Sequence, residues 1–241
     1  MLQTIIITQA RVNSSRLPNK IFLEANSKPF IGYHLQRIAK IDASIIVATT
    51  NNGSEQPILD FCAANDVQSF RGSETNVLER FYDCATQAKA DVIIRVTSDC
   101  PLIDGDIIAK GLKQYQSLND KNVYYSNVIN RTYPRGMDYE IFSFKLLEDA
   151  FKNATTDSDK EHVTPYIWNN RSGTVKIVDD TKEPDHSNFR ITLDTVEDFQ
   201  LLKTLIENHN AHELSCAQIE NILESHQDLT ALNAAVEQKK V

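Results

Sequence analysis

Three short runs of apolar, β-branched residues punctuate the first part of the chain: Thr4 to Thr8, Ser44 to Thr50 and Asp91 to Thr97. Each is nearly continuous in hydrophobicity, the pattern of a strand covered on both faces. Between them the period changes. Phe30 to Ile41 places Ile31, Leu35 and Ile38 on one helical face, Asn76 to Ala88 does the same with Val77, Phe81, Cys84 and Ala88, and Gln56 to Ala64 is also helix-like. Strands alternating with amphipathic helices predict an α/β fold with a mostly parallel central sheet flanked by helices. Ligands then belong at the carboxyl ends of the strands.

Beyond Pro101 the pattern predicts a helix over Asp106 to Gln116, a strand over Asn122 to Asn127, a turn at Pro134 to Gly136 and a strand over Asp138 to Ser143. Helices follow at Phe144 to Asn153 and Asp159 to Asn169, with Pro165 starting or kinking the second. Strands at Thr174 to Val178 and Phe189 to Leu193 lead into a helix over Val196 to Asn208, and Ser215 to Val241 is helical in composition. No linker, repeat or low-complexity segment interrupts the chain, which predicts a single domain over residues 1–241.

Charge narrows the function. With 33 acidic against 25 basic side chains, a formal net charge of -8, the chain lacks the cationic surplus of a nucleic-acid binder, so a bound polyanion must meet a local basic cluster. No stretch approaches the roughly 18 apolar residues of a membrane span. Met1 to Thr8 has no basic leader, and Cys62, Cys84, Cys100 and Cys216 form no CxxC pair; both features predict a cytoplasmic protein with reduced thiols. Glycine is scarce, 7 of 241 residues, well below the roughly 7% of average usage.

The basic cluster follows the first strand. In Gln9-Ala10-Arg11-Val12-Asn13-Ser14-Ser15-Arg16-Leu17-Pro18-Asn19-Lys20, three cations and two hydroxyls fall where the fold places a ligand. Guanidinium forks, an ammonium and loop amides suit a triphosphate, although the spacing is not that of a Walker loop. The competing reading is a solvated basic loop. Asp99 and Asp194 each end an apolar strand, and two such carboxylates are suited to share a Mg²⁺ that also meets phosphate oxygens; the alternative for them is a turn residue and a helix cap.

The run ITQARVNSSRLPNKIF resembles the nucleotide-binding signature of sugar cytidylyltransferases, which couple CTP to an acidic sugar such as a nonulosonic or deoxy-octulosonic acid, and it is closest to the spore-coat-polysaccharide branch. VATTNN at Val47, FRGSETNVLERF at Phe70, RVTSDCPLID at Arg95, RTYPRGMDYEIFS at Arg131, DKEHVTPYI at Asp159 and RITLDTVEDF at Arg190 extend the resemblance from Ile5 to about Leu202. It implies a nucleotide-diphospho-sugar transferase fold, with residues 1–120 holding the nucleotide, 121–212 the sugar and a homodimer contact, and 213–241 a helical tail.

The resemblance also implies roles. Arg11, Arg16 and Lys20 hold the CTP phosphates, with Arg11, Lys20 and Asp99 catalytic; fixed cations lower the barrier for a departing pyrophosphate. Asp99 and Asp194 match the family's Mg²⁺ ligands. Gln9, Ala10, Ser15, Arg71, Gly72, Ser73 and Ser98 complete the nucleotide site, with Arg71 alternatively pairing Glu74 on the surface. Arg135 or Arg190 meets the sugar carboxylate, while Asp138, Glu140, His162 and Thr164 meet its hydroxyls; a core histidine is the other role open to His162. The chain departs from the family where Asn13, Asn19 and Ser98 replace glycines, and a serine beside the metal aspartate either crowds the site or joins it. Two other readings stay open: a sugar nucleotidyltransferase or glycosyltransferase using another nucleotide, or a nucleotide-sugar-binding subunit whose chemistry has decayed.

Overall fold

The computed structural model describes residues 2–14 and 16–238. In chain order the elements are β1 (Thr4–Gln9), the hairpin β2 (Glu24–Ala25) and β3 (Lys28–Pro29), α1 (Phe30–Ile38), β4 (Ser44–Thr50), α2 (Gln56–Ala64), β5 (Gln68–Gly72), α3 (Val77–Gln87), β6 (Val92–Thr97), α4 (Gly105–Leu118), β7 (Val123–Ser126) and β8 (Glu140–Ser143). They continue with α5 (Phe144–Asn153), α6 (Asp157–His162), α7 (Pro165–Trp168), β9 (Lys176–Asp179), α8 (Val196–His209), α9 (Cys216–Ser225) and α10 (Gln227–Ala231).

The seven-stranded sheet has the order β5-β4-β1-β6-β8-β7-β9. The pairs β5/β4, β4/β1, β1/β6 and β7/β9 are parallel, and β8 runs antiparallel to both its neighbours. The predicted mostly parallel sheet flanked by helices is therefore present. Period-two alternation divides the core: Ile6 packs with Ile31, Leu35 and Ile38 of α1 on one face, while Ile5 and Ile7 pack with Leu78 and Phe81 of α3 on the other. Both faces of β1 are sealed, which is why its sequence reads as an unbroken apolar run. A third cluster lies off the sheet, where Phe30, Tyr33, Ile191 and Leu193 meet Leu202 and Ile206 of α8 and Ile219 and Leu223 of α9. The helical tail thus packs on its own chain.

Several elements differ from the expectations. β5 carries Gln68, Ser69 and Arg71 exposed, so this edge strand has no apolar run to betray it. The expected strand at Phe189 to Leu193 is extended chain with one bridge, Arg190 to Arg135. β8 begins at Glu140, which leaves Asp138 in the preceding loop. The helix expected over Asp159 to Asn169 is two helices, because Val163 between them has φ 73°. Among the described residues no helix is long and apolar enough to cross a membrane, and the four cysteines are free and buried.

Candidate active site

The site grows from two adjacent strand ends. β1 and β6 pair in register up to Gln9 and Thr97, and the Ser98 amide donates to the Gln9 carbonyl at 3.1 Å, so the loops leaving both strands open side by side. Asp99 follows directly. The stretch before α8 is tied to this point because the Leu193 amide donates to the Asp99 carbonyl at 2.8 Å and the Thr192 hydroxyl to the same oxygen at 3.2 Å. Backbone hydrogen bonds, not sequence proximity, therefore place Asp194 beside Asp99.

Lys20 stands between the two carboxylates. Its Nζ donates to Asp99 Oδ2 at 2.7 Å and to Asp194 Oδ1 at 2.8 Å. The ammonium is delivered by a loop that closes when the Asn19 amide donates to the Val12 carbonyl at 3.2 Å, with Asn19 left-handed at φ 55°. Asparagine tolerates that conformation, so its replacement of a glycine there is geometrically matched. Burial alone would raise the Asp99 carboxyl, but the charge and hydrogen bonds of Lys20 prevail and pull it down to about 2. Asp194 is also lowered, against burial and against the neighbouring Asp99 charge, chiefly by Lys20. Lys20 is raised, its two carboxylate partners outweighing its own burial.

Asp194 has two further cations. Arg16 Nη2 lies 3.1 Å from its Oδ2, and Arg190 Nη2 donates to the same oxygen at 2.9 Å. Arg190, a candidate for the sugar carboxylate, also grips Asp198, at 2.8 Å from Nε and 2.9 Å from Nη2, while its Nη1 donates to Gln238 Oε1. Asp198 is fully buried and also accepts the Asp194 and Thr195 amides and the Asn233 side chain. The structure thus gives Arg190 a supporting place behind Asp194.

A cleft of about 210 Å³ opens onto this cluster, lined by Gln9, Ala10, Arg11, Ser14, Arg16, Lys20, Glu74, Arg80, Thr97, Ser98, Asp99, Glu161, His162 and Asp194 among others. Ser98 lines it while pointing its hydroxyl inward, 2.9 Å from Thr8 Oγ1, so the serine side chain does not crowd the aspartate. Ser15 lies outside the described residues. Arg71 does not line the cleft; it is exposed and 3.4 Å from Glu55, the surface pairing foreseen for it but with a different partner. Gly72 and Ser73 act at one remove: the Ser73 carbonyl accepts from Arg80 Nη1 at 2.8 Å, and a Cβ on Gly72 would stand 2.8 Å from Arg80 Cγ. Burial, with Arg11 nearby, lowers Arg80 to about 10, so it stays a cation at neutral pH.

A second cleft, about 720 Å³, lies on the β8 side and is lined by Arg95, Arg131, Arg135, Asp138, Glu140, His162, Thr164, Ile129 and Trp168 among others. Asp138 and Glu140 are both here, each already paired with a cation that was not among the expected site residues. Arg131 grips Asp138 with two nitrogens, the second at 3.0 Å. Arg95 pairs with Glu140, whose other oxygen accepts from the Tyr124 hydroxyl at 2.7 Å. Arg95 had a signal: it is the lone charge in the apolar strand VIIRVT. Arg135 is different, because among the described residues no carboxylate lies within ion-pair distance of it.

The model of the family described as cytidylyltransferase matches residues 5–241. The chain belongs to the cytidylyltransferase family. It is a nucleotidyltransferase enzyme. This cytidylyltransferase is 34% identical to an uncharacterized protein of Methanocaldococcus jannaschii over 99% of its own length and 97% of the relative's. It is 27% identical to the spore coat polysaccharide biosynthesis protein SpsF of Bacillus subtilis, over 95% and 97% of the two chains. A solved cytidylyltransferase from Leptospira borgpetersenii superimposes with a TM-score of 0.91 at 29% identity over 100% of both chains.

Proposed function

We propose that this cytidylyltransferase transfers the cytidylyl group of CTP to a hydroxyl of an acidic sugar and releases pyrophosphate, for surface polysaccharide synthesis, working in the cytoplasm as a homodimer. The observation that carries the reading is a cationic cleft at the strand ends running into a larger one with an open guanidinium. The triphosphate belongs in the first, where Arg11, Arg16, Lys20 and Arg80 supply charge-assisted donors as negative charge builds on the leaving group. The acceptor belongs in the second, where Arg135 reads its carboxylate and Asp138, Glu140 and Thr164 offer acceptors to its hydroxyls. The name of the Bacillus relative supports the polysaccharide setting. Residues 1–241 act as one unit, in which the two halves share the site: Asp194 serves the nucleotide and Arg95 the acceptor.

Asp99 and Asp194 fit Mg²⁺. Both converge on a single cationic point, now held by Lys20, and their all-oxygen donor set suits a hard cation. Bound there, it neutralises charge on the phosphates. The two carboxylates would hold it, with Arg190 and Asp198 keeping Asp194 in place.

The test is pyrophosphate release from CTP and Mg²⁺ with a panel of sugar acids. Asp99→Asn is expected to abolish turnover in a folded protein. Arg135→Gln is expected to raise the acceptor KM about tenfold or more, the worth of a charged hydrogen bond, with the CTP KM unchanged. Release with neutral sugars and none with acids would overturn the acidic acceptor.

A further inference from the structure

The two clefts share only two of their lining residues among the described ones, Thr97 and His162. If the triphosphate fills one cleft and the acceptor the other, the attacking hydroxyl meets the α-phosphate at that junction. We infer that His162 is the general base of the transfer, taking the proton of the acceptor hydroxyl at the junction. The inference rests on the function proposed above. In the step, the hydroxyl oxygen forms the new bond to the α-phosphorus, the bond from that phosphorus to the β-phosphate oxygen breaks, and its electron pair leaves with pyrophosphate. The hydroxyl proton passes to a ring nitrogen of His162 and from there to water after product release. A base is required because an alkyl hydroxyl is a weak nucleophile until its proton has somewhere to go.

Three features of the local structure fit this role. Among the described residues the His162 imidazole makes no hydrogen bond or ion pair, in contrast to His34, His186 and His226, whose rings are engaged. A side chain without protein partners at the meeting of two clefts is free to bond a substrate. Second, His162 ends α6 in a strained turn. The Thr164 amide donates to the His162 carbonyl at 2.8 Å across Val163, whose φ of 73° and ψ of -52° make a γ-turn with positive φ. That conformation is costly for a β-branched residue, and strain of this kind is kept where the fold over-determines it. Here the determinant is burial: Val163 is fully enclosed in the apolar cluster under α3 and α5, so the turn anchors inward and presents His162 and Thr164 to the clefts.

Third, the charges around the ring keep it a base at neutral pH. Burial lowers the imidazole below its ordinary value; Glu161 on its own helix works against this, and Arg95 of β6 adds to it. The other charged groups lining the two clefts are Arg80 of α3 and Glu74 just before it, the Lys20, Asp99 and Asp194 cluster with Arg11 and Arg16, and Glu140 of β8 with Asp138, Arg131 and Arg135. A ring held neutral accepts a proton from the hydroxyl, whereas an imidazolium cannot.

The experiment compares wild type, His162→Ala and His162→Gln with CTP, Mg²⁺ and an acceptor that supports pyrophosphate release, measuring kcat, both KM values and the pH profile of kcat/KM. Loss of a positioned general base is expected to lower kcat about 100- to 1000-fold, with the CTP KM and the unfolding temperature unchanged. The fall in wild-type activity on the acid side should vanish in both variants, and added imidazole should restore part of the rate to His162→Ala. An unchanged kcat, a surviving acid limb, or a loss confined to the acceptor KM would overturn the general base while leaving the cytidylyl transfer in place. Absence of release by wild type with every acceptor would overturn the functional reading, and this inference with it.

Discussion

His34 offers a sharp test of the core beneath the site. The ring is fully buried, with Nδ1 2.9 Å from the Cys100 carbonyl and Nε2 2.9 Å from Thr8 Oγ1. A carbonyl only accepts, so Nδ1 carries the proton and neutral Nε2 accepts from the Thr8 hydroxyl, which in turn accepts from Ser98. This chain suits a neutral imidazole and has no place for a second ring proton. Burial accordingly lowers His34 from 6.5 to about 4. The sign follows from linkage. Above pH 6.5 the ring is neutral in both states and its contribution is complete; between 6.5 and 4 the unfolded chain binds a proton that the folded chain refuses, so stability falls with pH; below 4 both are protonated and no more is lost. The shift corresponds to about 3 kcal/mol, shed at about 1.4 kcal/mol per pH unit. His34→Gln keeps a donor and an acceptor and does not titrate. Urea unfolding followed by circular dichroism should show the wild type losing about 3 kcal/mol more than the variant from pH 6.5 to pH 4. The comparison of slopes cancels the cost of the substitution itself. Parallel curves for the two proteins would refute the argument.

Two further outcomes follow from packing and charge. Asp198→Ala strands the buried Arg190 guanidinium and removes the acceptor of two backbone amides, so it should cost about 3–5 kcal/mol and lower the melting temperature by about 10 °C in calorimetry; a drop of less than a few degrees would mean that water reaches the pair. Gly136→Ala places a Cβ 2.5 Å from the Ile191 carbonyl oxygen at φ +106°, whereas Gly53→Ala at φ +92° meets nothing within 4 Å. The first should therefore destabilise by more than the roughly 1 kcal/mol of conformational strain shown by the second, and thermal melts of the two variants should separate.

Much of this molecule was legible in its sequence because the responsible physics is local. Continuous β-branched runs reported β1, β4 and β6, since strands covered on both faces have no polar face to show. Arg11, Arg16 and Lys20 stood out as a basic cluster in an acidic chain, and Asp99 and Asp194 as carboxylates ending apolar runs. The glycine scarcity also had a local resolution: Asn19 takes the left-handed conformation itself, and Ser98 turns its hydroxyl to Thr8. β5 was hidden because an exposed edge strand needs no apolar pattern, and the break at Val163 because nothing in a valine announces positive φ.

Partnership was the part that only the tertiary structure could decide. A residue type shows that a charge exists, but which opposite charge meets it depends on chain crossings far away in sequence. Arg190 and Arg135 were equal candidates for an acidic ligand until the fold gave Asp198 to the first and left the second open. Asp138 and Glu140 looked like free hydroxyl acceptors until Arg131 and Arg95 were found on them. The joining of two clefts at Thr97 and His162 has no counterpart in any local pattern, because it arises where the end of β6 and the end of α6 are brought together. Sequence by itself determined which elements form and which charges they carry; folding decided how those charges pair, and so which of them remain for a substrate.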